Sequence, residues 1–153
     1  ATDDKFCYLH LVTDAFSRMI IGYVLAPTLE AKYTIEALRQ AISHAGGGNL
    51  CGTIHHSDRG VQYCCDEYIT LLKEHHIRIS MTEDSNPTDN GMAERVNGII
   101  KNEFLEPLQT PKNLLEALPL VDHAVRTYNT LRPHLNLNMR TPAQVYEGKQ
   151  IIL

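Results

Sequence analysis

The chain has 153 residues, which suits one domain with one core. Hydrophobic residues make up 43% and charged residues 21%, the balance of a folded globular protein. The formal net charge is -4, and neither part is basic: residues 1–83 carry 7 Lys+Arg against 10 Asp+Glu, and residues 84–153 carry 7 against 8. That argues against a domain that binds a polyanion strongly by itself. The longest apolar run, residues 19–26, is far below the roughly 20 residues of a membrane span, so no membrane is expected. No secretory leader is expected either. Cys7, Cys51, Cys64 and Cys65 follow no small-scaffold spacing, and adjacent Cys64 and Cys65 are poor partners for each other, so a reducing compartment is expected.

In chain order, residues 6–13 are aromatic and β-branched and predict a strand. Residues 14–18 form a turn, and residues 19–26 a second strand closed by Pro27, so the two should make a hairpin. A helix follows over 31–45, with Ile35, Leu38, Ala41, Ile42 and Ala45 at helical spacing, ended by Gly46-Gly47-Gly48. Residues 49–56 predict a short strand centred on Ile54, then a loop at Ser57-Asp58-Arg59-Gly60. A helix over 65–75 turns Tyr68, Ile69, Leu71 and Leu72 inward, and residues 77–81 alternate as a strand. Residues 83–91 are rich in Asp, Asn, Ser, Pro and Gly and predict a loop. Helix is expected over 92–105. Thr110-Pro111 should cap the next, which runs towards Thr130 with a break or kink at Pro119. Thr141-Pro142 opens a last helix over 143–146. The order β-β-α-β-α-β-α-α implies an α/β fold, a mixed sheet covered by helices, with no internal repeat.

Two carboxylates stand out. Asp58 follows a strand, and open α/β sheets gather ligands at strand carboxyl ends; a turn-capping Asp is the ordinary alternative. Glu94 lies on a helix whose apolar side is Met92, Val96, Ile99, Ile100 and Phe104. Asn90, Glu94, Asn97 and Lys101 make a polar stripe there. The alternative is a solvated face, though Asn is a poor helix former. Hard divalent cations bind a few carboxylates plus substrate phosphates, and two such ions drive phosphodiester chemistry. Lys101, Asn97 and Arg95 could contact phosphates near such ions. His55, His56, His75 and His76 with the cysteines fit no zinc spacing. Arg132 and His134 are expected to anchor the C-terminal segment. Gly22 and Gly98 are expected to allow close backbone approach, and Tyr8, Phe16, Tyr23 and Phe104 to pack in the core.

Four blocks in order carry a resemblance. His56-Ser57-Asp58-Arg59-Gly60-Val61-Gln62-Tyr63 resembles the His-Ser-Asp-x-Gly segment, and Asn86-Pro87-Thr88-Asp89-Asn90-Gly91-Met92-Ala93-Glu94-Arg95-Val96-Asn97-Gly98 a later carboxylate block, of bacterial insertion-sequence transposases of the retroviral-integrase superfamily, with Asp58 and Glu94 matching the family's second and third carboxylates. Asp58 and Glu94 are 36 positions apart, the family interval. Residues 12–23 resemble the family's early hairpin, and residues 128–134 and 141–146 its C-terminal signature. The resemblance implies a ribonuclease-H-like fold and a three-carboxylate site using Mg²⁺ or Mn²⁺ to cut and join DNA strands. It assigns Asp58 and Glu94 as catalytic metal ligands, with Asn90, Arg95, Asn97 and Lys101 against DNA. The first carboxylate, on a strand ahead of the hairpin, has no match here: Asp14 reads as a turn residue, and Asp3 and Asp4 as loop. The single domain is therefore expected to be incomplete at its N-terminus, and by itself to show little strand transfer. The implied partners are transposon-end and target DNA and further copies of the chain, in a bacterial cytoplasm at the nucleoid. Two other readings stay open: a non-catalytic dimerisation or docking module, and a ribonuclease-H-like nuclease.

Overall fold

A computed structural model describes residues 7–81, 91–107 and 111–148. Strand β1 (Tyr8–Thr13) pairs antiparallel with β2 (Ile20–Ala26), from Tyr8↔Ala26 to Thr13↔Ile20, with a register shift at Val12/Thr13. Helix α1 (Ala31–His44) buries Ile35, Leu38, Ala41 and Ile42, four of the five periodic positions read from sequence; the fifth, Ala45, is the exposed C-cap. The hairpin and α1 meet at Gly22. A Cβ there would come within 2.1 Å of the Ala37 carbonyl oxygen, so only glycine lets the strand and helix backbones touch. His10 of β1 is buried and bonds Thr34 Oγ1 at 2.9 Å and the Thr28 carbonyl at 3.2 Å.

Strand β3 (Ile54–Ser57) pairs parallel with β4 (Arg78–Met81), Ile54 opposite Arg78 and Ser57 opposite Met81. Between them lie a single turn α2 (Val61–Cys64) and helix α3 (Asp66–Glu74). Helix α4 (Gly91–Ile99) runs on into a π-helical turn, Ile100–Leu105. Helix α5 (Leu114–Thr130), a 3₁₀ turn (Leu135–Leu137) and α6 (Pro142–Gly148) complete the order. One apolar core joins Ile20, Val96, Ile100, Val121, Val125 and Tyr128 of β2, α4 and α5. A second joins Ile35, Leu38, Ile42, Tyr68, Leu71 and Leu72 of α1 and α3.

Several expectations are corrected. The antiparallel and parallel pairs form two separate two-stranded sheets among the described residues, because β1 bonds only β2 and β3 only β4. The third strand starts at Ile54, since residues 51–52 are a turn with Gly52 at φ 94°, and Ile54 is 54% exposed rather than central. Pro111 does not open α5. Asn113 caps it, its side chain accepting the Glu116 amide at 3.0 Å, while the Lys112 amide donates back to Glu116 at 2.9 Å. Thr110 lies outside the described residues. The helix is not broken at Pro119. That exposed proline faces solvent, where water can reach the carbonyl that loses its amide donor. Phe16 is 64% exposed at the hairpin turn and Tyr8 is 38% exposed at the start of β1, whereas Tyr23 and Phe104 pack on the core as expected. At Gly98 a Cβ would meet nothing within 4 Å, so no close approach requires it. No described helix is long and apolar enough to cross a membrane.

Candidate active site

Asp58 follows β3 at the carboxyl end of the parallel pair. Its Oδ1 accepts the Gly60 amide at 2.7 Å, so the ordinary turn-capping role is realised with that oxygen. A Cβ on Gly60 would press to 2.9 Å from that same oxygen, which makes glycine the fitting residue. The carboxylate's field reaches Tyr63: burial first, and Asp58 next, raise the phenol's pKa. Behind Asp58, Ser57 is 5% exposed, and its Oγ is without a hydrogen-bond partner, as is His55 Nδ1. His55 Nε2 bonds the Tyr68 hydroxyl at 2.8 Å, and burial pushes its pKa down to about 4. Two of the other histidines weighed for zinc make hydrogen bonds within the fold: His56 bonds Ser80 at 3.0 Å across the strand pair, and His75 the Gly48 carbonyl at 2.6 Å. All four cysteines are free.

Glu94 stands exposed in the first turn of α4, where the helix dipole favours a carboxylate. Val96 and Ile100 hold the opposite side of the helix in the core. Asn97 turns back to donate to the Ala93 carbonyl at 3.1 Å. Lys101 sits in the π turn and faces Glu106 at 4.0 Å, both side chains mostly exposed. Asn90 and the loop of residues 83–91 lie outside the described residues, except Gly91, which begins the helix. Arg95 is not on the stripe. It lines a groove with Arg18, Arg132 and His134. Among the described residues no hydrogen bond joins Asp58 to Glu94, and no group of three His, Cys, Asp or Glu is set to hold a metal.

Asp14 is the turn residue expected. Its Oδ2 accepts the Ser17 amide at 2.8 Å and the Ser17 hydroxyl at 2.6 Å. The C-terminal signature is an anchor. Tyr128 donates to the Arg18 carbonyl at 2.9 Å, and Asn129 bonds both the amide and carbonyl of Ile20 at 2.9 Å. Arg132 forks onto Glu103 with two bonds of 2.6 Å, and the His134 ring stands edge-on to Tyr128 at 5.0 Å. Sequence reasoning missed the partners Ile20, Arg18 and Glu103; only the polar pair Tyr128-Asn129 on an apolar helix face hinted at buried bonds.

The integrase core domain family matches residues 1–87, and a second integrase core domain family matches residues 75–142. A putative transposase for insertion sequence element IS986/IS6110 of Mycobacterium tuberculosis is 36% identical over 105 residues, covering 67% of this chain and 38% of that protein. The transposase for insertion sequence element IS629 of Shigella sonnei is 31% identical over 144 residues, covering 94% of this chain and 47% of that protein. The chain thus spans about half the length, or less, of these curated relatives. Among solved structures, the HTLV-2 integrase catalytic core domain in complex with magnesium, in its dimeric form, matches with a TM-score of 0.69 and 27% identity. That match covers 90% of this chain and 83% of that one. The chain belongs to the integrase core domain family, and its architecture is the ribonuclease-H-like fold of integrase catalytic cores.

Proposed function

We propose that this chain is the catalytic core of an insertion-sequence transposase, and that Asp58 and Glu94 are two of its metal-binding carboxylates. The observation that carries the reading is their placement 36 positions apart, one at the carboxyl end of a parallel strand and one in the first turn of a helix. Both fit a hard cation: Asp58 keeps an oxygen beyond its turn bond, and Glu94 is exposed. The magnesium bound to the HTLV-2 integrase core supports the same donor chemistry here. When bound, Mg²⁺ or Mn²⁺ polarises the scissile phosphate and activates water or a 3′-hydroxyl. Asp58 holds its orientation through Gly60, Asn97 and Lys101 face the DNA beside Glu94, Arg95 grips phosphate from the flank, and Asn90 is assigned to DNA from its place in the sequence block. None of Asp3, Asp4 or Asp14 supplies the family's first carboxylate. Partners are transposon-end and target DNA and further copies of the chain, in a bacterial cytoplasm at the nucleoid.

The test is end cleavage and joining by the longer transposase carrying Asp58→Asn or Glu94→Gln. Both are expected to abolish joining while DNA binding persists, and the isolated 153-residue chain is expected to join little. Joining retained in either variant overturns the assignment.

A further inference from the structure

Helix α4 has two polar sides. At about 100° per residue, Arg95 lies a quarter-turn or more round from Glu94, with Met92 and Ile99 further on the same flank. These three open onto a groove of about 550 Å³ whose other walls include Arg18 from the hairpin turn and Arg132 and His134 from the segment after α5. Three arginines from three separate elements therefore line one cleft in a chain of net charge -4. Glu103 offsets one of them, by its two bonds to Arg132. Arg18 and Arg95 form no ion pair among the described residues.

The groove is also held in shape. Arg18 sits in the left-handed region at φ 65°, and its carbonyl is tied to the Tyr128 hydroxyl at 2.9 Å. Arg132 is fixed by Glu103, leaving Nη1 turned towards the His134 ring at 3.3 Å. Burial, and then Arg132, lower the His134 pKa, with Arg18 adding to the same effect. That coupling sets the Arg132 and Arg18 charges close to the His134 ring. Planar guanidinium forks suit the paired oxygens of a phosphodiester, and their charge is indifferent to base sequence.

We propose that this groove is a second DNA-backbone site, separate from the Asp58–Glu94 face, in which Arg18 and Arg95 each bind a phosphate without metal. The proposal rests on the transposase-core reading for its choice of DNA as the anion. It gives an acidic chain a place to hold duplex that needs no cation.

The test titrates the chain with a short labelled duplex at low salt in EDTA, following the Arg18 and Arg95 Nε and His134 ring resonances by NMR. Those resonances are expected to move, while a poly-glutamate peptide of equal charge moves them far less. Arg18→Gln with Arg95→Gln should weaken binding about tenfold and reduce the log–log salt slope by about 1.8, at roughly 0.9 per phosphate. Arg95→Glu alone, at an exposed position, gives the same direction should the double variant fail to fold. Unchanged affinity and slope, shifts confined to Asn97 and Lys101, no duplex binding in EDTA, or equal binding of poly-glutamate each overturn the proposal. A Mn²⁺ titration of the same sample reads the Asp58–Glu94 site by itself, so failure of either reading is seen separately.

Discussion

Asn129 donates Nδ2 to the Ile20 carbonyl and accepts the Ile20 amide on Oδ1, and only 7% of its surface reaches solvent. A side chain of α5 thereby continues the hydrogen bonding of a strand. Asn129→Ala would bury an amide and a carbonyl without partners, each costing about 1–3 kcal/mol. Urea unfolding is expected to show a loss of about 2–4 kcal/mol, and a loss below about 0.5 kcal/mol would mean water replaces the side chain. His55 gives a prediction with a sign. Its imidazole takes up a proton near pH 6.5 in the unfolded chain but only near 4 when folded, because burial disfavours the cation. Between those values the unfolded state binds more protons, so the contribution is complete above the unfolded value and is lost as pH falls towards the folded one. Between pH 7.5 and 5 the wild type is expected to lose about 2 kcal/mol more stability than His55→Gln. Parallel losses in the two proteins would show that His55 is not the group responsible.

At the scale of elements, glycines that look alike in sequence separate in the fold. Gly22→Ala would drive a methyl into the Ala37 carbonyl at 2.1 Å and should cost about 3 kcal/mol or more, parting the hairpin from α1. Gly98 sits inside α4 with open space at its Cβ, so Gly98→Ala should stabilise by about 0.5–1 kcal/mol. Paired thermal melts check both signs. The hairpin, α1 and α3 were legible because apolar period and turn residues agree there. Helix α2 was not, since Val61-Gln62-Tyr63-Cys64 is a single turn with no period to read. The π turn at Ile100–Leu105 leaves no mark either: Ile100 and Phe104 keep an apolar pattern whichever hydrogen bond the backbone chooses. Pro119 misled because propensity counts the lost amide and not the solvent that replaces it. The proposed pair Asp58 and Glu94 rests on spacing within two continuous blocks of sequence. The arginine groove was not legible, because Arg18, Arg95 and Arg132 meet only through tertiary packing.

At the scale of the whole molecule, two apolar cores leave a hairpin and a parallel pair that share no strand, with β3 leading directly into Asp58. The groups proposed to meet DNA divide between two sides of α4, one carrying Glu94 and the other Arg95. The proposed chemistry at Asp58 and Glu94 requires a bound cation. The most direct measurement is a Mn²⁺ titration followed by NMR line broadening, with Asp58→Ala and Glu94→Ala alongside the wild type. The expected result is broadening centred on residues 58–60 and 91–97 together, weakened by either substitution. Broadening that ignores both substitutions, or none in a wild-type chain that keeps its folded spectrum, would contradict a shared metal site.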